Sequence, residues 1–208
     1  MKKAGVISKT AAPKTAAPKT AAPKTATTMS TNTESAVLSA PALASAIAIM
    51  AKAIHADEKD AASIAIVGIQ SRGVPLAARL AAALRASTGK KIDVGSLDIT
   101  LYRDDLSTVG TRPVLKATNI PFSIDGRTVI LVDDVLFTGR TIRAALDELV
   151  DFGRPARIAL AVLVDRGHRE LPIQADYIGK TVKTERRDMV DVRLREIDGT
   201  DEVVLVNK

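Results

Sequence analysis

The chain has no cysteine and no tryptophan, and only three Phe and two Tyr among its 208 residues. Without cysteine there can be no disulfides and no thiolate metal site, which accords with a reducing cytoplasm. So few aromatics leave no platform on which splayed nucleobases could stack in series. No run of roughly 18 apolar residues occurs either, so no membrane span is expected. The longest weakly polar stretch, residues 40–54, contains Ser45 and Lys52 and reads as an Ala-rich helix. Excess charge is also missing from most of the chain. Lys2, Lys3, Lys9, Lys14, Lys19 and Lys24 face one acid, Glu34, within residues 1–35, so that segment carries +5 of the formal +6 and leaves the remainder at +1. The basicity belongs to the N-terminal tail and does not argue for nucleic-acid binding by the fold.

That tail repeats Lys-Thr-Ala-Ala-Pro at 9–13, 14–18 and 19–23. A proline every fifth residue prevents a continuous helix, and with almost no bulky apolar side chains nothing offsets the entropy of ordering. Residues 1–35 are therefore expected to be disordered, as a solubilising extension or as an arm that binds polyanions without specificity. Met29 is a second candidate start. The globular domain is expected over residues 36–208.

What is present is a sequence of alternating helical and strand patterns. Helices are expected at about 41–56, 74–86 and 140–152, strands at 63–69, 92–101, 129–132 and 157–164, and short edge strands at 177–179, 189–196 and 202–206. This β-α-β alternation predicts an α/β fold, a doubly wound, mainly parallel sheet with helices on both faces.

The densest chemistry lies in residues 129–141, Val-Ile-Leu-Val-Asp-Asp-Val-Leu-Phe-Thr-Gly-Arg-Thr. Four branched apolar residues without alternation mark a strand buried on both faces, which places Asp133 and Asp134 at its carboxyl end, where open α/β sheets bind ligands. Gly139 permits a tight turn into a helix whose unpaired N–H groups favour an anion, most simply a phosphate. Two carboxylates beside a phosphate cradle suit a phosphorylated sugar, whose vicinal hydroxyls can donate to the acids. Two more loops leave strands at the same rim: Gln70-Ser71-Arg72-Gly73, with a planar cation suited to phosphate oxygens, and Asp165-Arg166-Gly167-His168-Arg169-Glu170. The polar segment 102–121 is long for a connection within a compact domain and reads as a lid.

These residues resemble the phosphoribosyl pyrophosphate (PRPP) motif of the type I phosphoribosyltransferases. Residues 67–73, 98–106 and 163–180 further resemble the pyrimidine operon attenuator / uracil phosphoribosyltransferase family, a likeness that spans essentially residues 37–208. The resemblance implies the type I phosphoribosyltransferase fold and the reaction of uracil with PRPP to give uridine monophosphate (UMP) and pyrophosphate, with Mg²⁺. It implies that Asp133 and Asp134 hold the ribose hydroxyls, directly or through the metal shell. Thr138, Gly139, Arg140 and Thr141 then bind the 5′-phosphate, and Ser71, Arg72 and Gly73 form the pyrophosphate loop. Tyr102, Arg103, Asp104 and Asp105 belong to a mobile loop, with Arg103 on the leaving pyrophosphate. Phe137 stands where purine-using relatives carry an acid that handles a ring proton, which favours a pyrimidine, recognised near Val164, Asp165 and Arg166.

The same resemblance implies a second activity, binding the leader mRNA of pyrimidine genes in response to UMP. Candidate contacts are Lys52, His168 and Arg169, although Ala48 and Lys52 occupy the first-helix positions where regulators carry Thr and His. Relatives of this kind assemble as homodimers or homotetramers.

Overall fold

The computed structural model describes residues 33–58, 60, 63–100 and 117–207. The tail through residue 32, and Tyr102, Arg103, Asp104 and Asp105 of the expected mobile loop, lie outside the described residues.

A five-stranded, wholly parallel sheet forms the centre. Its strands are β2 (Ile64–Ile69), β3 (Asp93–Leu97), β4 (Thr128–Leu136), β5 (Arg157–Asp165) and β6 (Tyr177–Thr181), in the spatial order β3-β2-β4-β5-β6. The central strands β2, β4 and β5 are apolar along most of their length because both faces are covered. Ile64, Ile66, Ile130, Val132, Ala159, Ala161 and Leu163 pack under α1 (Ala40–Asp57) and α2 (Gly73–Thr88), while Ala65, Val67, Val129, Leu131, Leu160 and Val162 pack under α3 (Arg140–Leu149). A 3₁₀ turn, Val150–Phe152, follows α3 and completes the expected helix at 140–152. No helix among the described residues is long and apolar enough to cross a membrane.

Local chemistry accounts for the helices. Helix α1 starts with Pro41 in its first turn, where a missing N–H costs nothing, and continues through strong helix formers. Helix α2 ends at Gly89, whose φ of 68° suits the left-handed cap.

Three details differ from the sequence expectation. First, Thr33–Leu38 forms a strand, β1, beginning inside the segment assigned to the tail. Second, only β6 adds to the edge of the main sheet. The other two C-terminal strands, β7 (Met189–Arg193) and β8 (Glu202–Asn207), join β1 in a separate antiparallel sheet ordered β1-β8-β7, whose Val190, Val192 and Val203 extend the core beneath α1 and α2. Its other face meets solvent, which explains the alternation seen in those segments. Third, β3 stops at Leu97 rather than at Leu101, and its neighbour on the far side is a bridge from Ser96 to Asn119.

The approach of α2 to β4 is set by two glycines. A Cβ on Gly68 would lie 2.5 Å from the Gly73 carbonyl oxygen and 2.7 Å from Val74 Cα, and one on Gly73 would collide with the Val132 carbonyl. All of these neighbours are backbone atoms, so no rotamer change relieves the contact. Gly68→Ala is expected to destabilise the fold by about 3 kcal/mol in urea unfolding, and a loss under about 1 kcal/mol would refute this packing.

Candidate active site

The strand pairing determines where the acids emerge. The β2–β4 ladder ends at Gly68 opposite Val132, whereas the β4–β5 ladder continues through Asp133 to Leu136. Asp133 and Asp134 therefore lie within β4 rather than beyond its end, on a stretch paired from one side only. The side vacated by β2 is where loop 70–73 crosses. A cleft of about 360 Å³ opens there, lined by Gln70, Ser71, Arg72, Asp98, Ile99, Thr100, Asp133, Asp134, Val135 and Thr141.

Five of the expected site residues, Ser71, Arg72, Asp133, Asp134 and Thr141, thus meet in one cleft. The two acids organise their own turn: Asp133 Oδ1 accepts the Asp134 N–H and Asp134 Oδ1 accepts the Val135 N–H, each at 2.9 Å. Asp133 is buried and Asp134 half-buried, so the second is the more accessible carboxylate. The Arg140 N–H donates to Thr138 Oγ1 at 3.4 Å, and Gly139 turns the chain into α3 with φ 93°. Its first N–H groups and the positive end of its dipole face the region of Thr141. The Arg140 guanidinium is engaged elsewhere, its Nε donating to Glu170 Oε2 at 2.9 Å.

Asp98 and Thr100 were assigned no role from sequence, yet they form one wall. The Thr100 N–H donates to Asp98 Oδ1 at 3.0 Å, and the Asp98 N–H donates to Thr118 Oγ1 at 2.9 Å. The same rule that selected the loops after β2 and β4 would have selected Asp98, which follows the end of β3. Behind this wall, Thr118 Oγ1 donates to Glu148 Oε1 at 2.6 Å, while the buried Oε2 has no hydrogen-bond partner among the described residues.

On the other side of β4 stands Phe137. The Arg166 guanidinium lies 4.2 Å from its ring centroid, and the His168 ring meets it edge-on at 6.0 Å. Arg166 is only 6 % exposed and donates to the carbonyls of Asp188 at 2.6 Å and Glu185 at 2.8 Å. Burial pulls its pKa below the ordinary arginine value, opposed by the nearby Asp188 charge.

The expected base-recognition groups are largely engaged. The Val164 side chain lies in the core, the Asp165 carbonyl accepts the Val182 N–H at 2.9 Å, and the Arg166 N–H donates to Leu136 O at 3.1 Å. The candidate RNA contacts divide similarly. His168 Nε2 lies 2.8 Å from Thr184 O, and Arg169 bonds the Asp165 carboxylate and donates to Phe137 O at 2.9 Å and Ile173 O at 3.0 Å. Both side chains fasten the rim loop, and both line an open cavity of about 670 Å³ together with Asp165, Arg166, Gly167 and Lys183. Lys52 alone of the three is exposed.

No group of three or more His, Cys, Asp or Glu side chains among the described residues could hold a metal by itself. Two adjacent carboxylates at a phosphate site nonetheless fit magnesium, which takes one or two carboxylates and completes its shell with water and substrate phosphates.

Comparison with known proteins settles the family. The profile of the phosphoribosyl transferase domain matches residues 33–199. The chain belongs to the phosphoribosyltransferases. Among its relatives, the Bifunctional protein PyrR of Chloroflexus aurantiacus is 56 % identical over 170 residues, 82 % of this chain and 93 % of that one. The Bifunctional protein PyrR of Thermus aquaticus is 52 % identical over 172 residues, covering 83 % and 95 %. Among solved structures, a hypoxanthine phosphoribosyltransferase of Trypanosoma cruzi shares the fold with a TM-score of 0.63 at 18 % identity, over 83 % of this chain and 95 % of that one. Purine-using relatives thus share the phosphoribosyltransferase scaffold with a chain whose motif carries Phe137.

Glu148 supplies a test of the wall. Burial is the first cause that raises its pKa, Asp98 and Asp151 push the same way, and the Thr118 bond opposes them. A carboxyl whose folded pKa exceeds its unfolded value favours folding when protonated, so stability is lost as pH rises from about 4.5 through the raised value. Glu148→Gln keeps the acceptor for Thr118 and removes the charge. The fall in Tm between pH 4 and pH 8 is expected to be smaller in Glu148→Gln than in the parent; equal falls would show that Glu148 contributes no such linkage.

Proposed function

We propose that this chain transfers the phosphoribosyl group of PRPP to uracil, releasing UMP and pyrophosphate. The observation that carries the reading is the single cleft in which Asp133, Asp134, Ser71, Arg72 and Thr141 meet, with Phe137 directly following β4. In that reading, the bond from ribose C1 to pyrophosphate breaks and pyrophosphate leaves with its electron pair. Uracil N1 gives up its proton and forms the new bond to C1. Asp133 and Asp134 accept hydrogen bonds from the ribose hydroxyls and stabilise the positive charge that develops on the ring. The backbone N–H groups of residues 138–141 hold the 5′-phosphate at the start of α3. Ser71, Arg72 and the loop before Gly73 take the pyrophosphate. Arg103, which lies outside the described residues, is assigned to the same leaving group.

Asp133 and Asp134 would hold Mg²⁺, directly or through its waters, and the ion would neutralise charge on the departing pyrophosphate. Phe137 offers no proton acceptor or donor. A purine that needs its ring proton handled finds no help there, whereas uracil, whose N–H is already acidic, needs less. The base is placed against the Phe137 face opposite Arg166.

A second activity is supported by the relatives, which carry the name Bifunctional protein PyrR: a UMP-responsive contact with leader mRNA of pyrimidine genes. The exposed Lys52 of α1 and, at the rim cavity, His168 and Arg169 are its candidate contacts. The protein is placed in the cytoplasm as a homodimer or homotetramer. Binding to a pyrimidine-gene leader at fixed salt, with residues 1–32 removed, should exceed binding to a scrambled RNA; equal affinities would reduce the contact to polyanion binding.

Purified protein is expected to form UMP from uracil and PRPP with Mg²⁺, and Asp134→Asn to lower kcat by about a hundredfold or more. Absence of UMP, or a parental rate in that variant, would refute the enzymatic reading.

A further inference from the structure

The cation of the pyrophosphate loop already has a partner. Arg72 presents its side edge to Asp198, with Nη2 2.9 Å from Oδ1 and Nε 3.4 Å from Oδ2. Such side-on pairing uses one N–H of Nη2 and the single N–H of Nε. The end edge of the guanidinium, formed by Nη1 and the second N–H of Nη2, lies outside the pair, and Arg72 lines the cleft.

Asp198 is itself held in place. It closes α4 (Arg195–Asp198), and its Oδ2 accepts the Leu194 N–H at 2.9 Å. Seven residues beyond Arg72, and so two turns along the same face of α2, Arg79 grips the same segment. It donates to Glu196 through Nε at 2.9 Å and Nη2 at 2.5 Å, and to Asp201 at 2.6 Å. Two arginines of one helix face therefore meet three carboxylates of the short segment joining β7 to β8. These bonds draw the Glu196, Asp198 and Asp201 carboxyls below their ordinary pKa values; for Asp198 the first cause is the Leu194 N–H.

We propose that Asp198 is a positioning residue for the leaving group. It clamps the Arg72 fork side-on, so that the end edge stays aimed at the position the pyrophosphate occupies. The inference rests on the phosphoribosyl-transfer reading of the cleft, and assigns to the small antiparallel sheet a part in it. The clamp and the ligand use different edges of one guanidinium, so neither displaces the other. A half-exposed arginine without the clamp would spread over many rotamers, and ordering it would fall to the ligand. The carboxylate also withdraws some attraction for an anion. Because pyrophosphate recognition by a planar fork depends on two aligned bonds, orientation outweighs this loss.

Asp198→Asn in the full chain tests the proposal, since Asn keeps an oxygen for the Leu194 N–H and loses the charge that holds Arg72. The expected result is a KM for PRPP raised about tenfold and product inhibition by pyrophosphate weakened by about the same factor, with kcat and the KM for uracil within about twofold of parental values. In an Arg72→Ala background, Asp198→Asn should change nothing further. An unchanged or lower KM for PRPP, an equal rise in the KM for uracil, or additive effects in the double variant would overturn the proposal. Arg72→Lys gives an independent reading: it keeps the charge without the fork, and should raise the KM for PRPP as Asp198→Asn does; a parental value would count against the clamp. If the parent makes no UMP, calorimetric titration with magnesium pyrophosphate still decides the matter. Weaker binding by Asp198→Asn supports the clamp and equal binding removes it, whatever the nucleobase.

Discussion

The site depends on backbone meeting backbone where α2 begins. Gly68, Gly73 and Val132 approach so closely that no side chain fits between them. This contact fixes the loop after β2 against β4 at the level where the β2–β4 ladder ends. One step further along β4 stand Asp133 and Asp134. The distance between a cation-bearing loop and two carboxylates is therefore set by main-chain packing, which is stiffer than any pair of side chains.

Around that frame the charges are arranged in closed groups. Arg79 and Arg72 hold the segment 195–201, Arg166 holds the carbonyls of 185–188, and Arg169 holds the rim loop to the backbone of Phe137. Each guanidinium serves as a fixed fork between segments of the chain. Partly exposed pairs of this kind contribute modest stability individually. Their larger effect is geometric, because a planar donor set defines the orientation of both partners. Glu148 differs: buried, with Oε2 unpaired among the described residues and acids nearby, it opposes folding once ionised.

The sequence made the parallel sheet legible because β2, β4 and β5 are apolar on both faces, a pattern few other elements show. The carboxyl-end rule then collected Ser71, Arg72, Asp133, Asp134 and Thr141 on one rim, and the structure places them in one cleft. It was silent where function depends on partners far apart in sequence. Nothing in Arg72 or Asp198 alone announces a pair separated by 126 positions. Strand β1 was illegible for a similar reason: Thr33–Leu38 has little pattern of its own and becomes a strand because β8 offers an edge. The charged rim loop was legible as a surface but not as a scaffold: residues 165–169 line an open cavity, while Arg166, His168 and Arg169 also spend polar groups on neighbouring carbonyls.

That expenditure bears on base selection. Arg166 cannot swing toward a ligand without stranding the carbonyls of Glu185 and Asp188 and exposing the back of the Phe137 ring. Leaving the buried Asp188 carbonyl unpaired is costly, so the guanidinium stays. The ring is thereby held from behind by a cation and at its edge by His168, and it keeps one orientation. A rigid aromatic wall selects by shape and offers no hydrogen bond. In the proposed uracil transfer, discrimination between pyrimidine and purine would follow from what such a wall cannot do, namely move a ring proton, and from how little room a fixed ring yields to a larger base. A flexible side chain at position 137 would surrender the second of these even if it preserved the first.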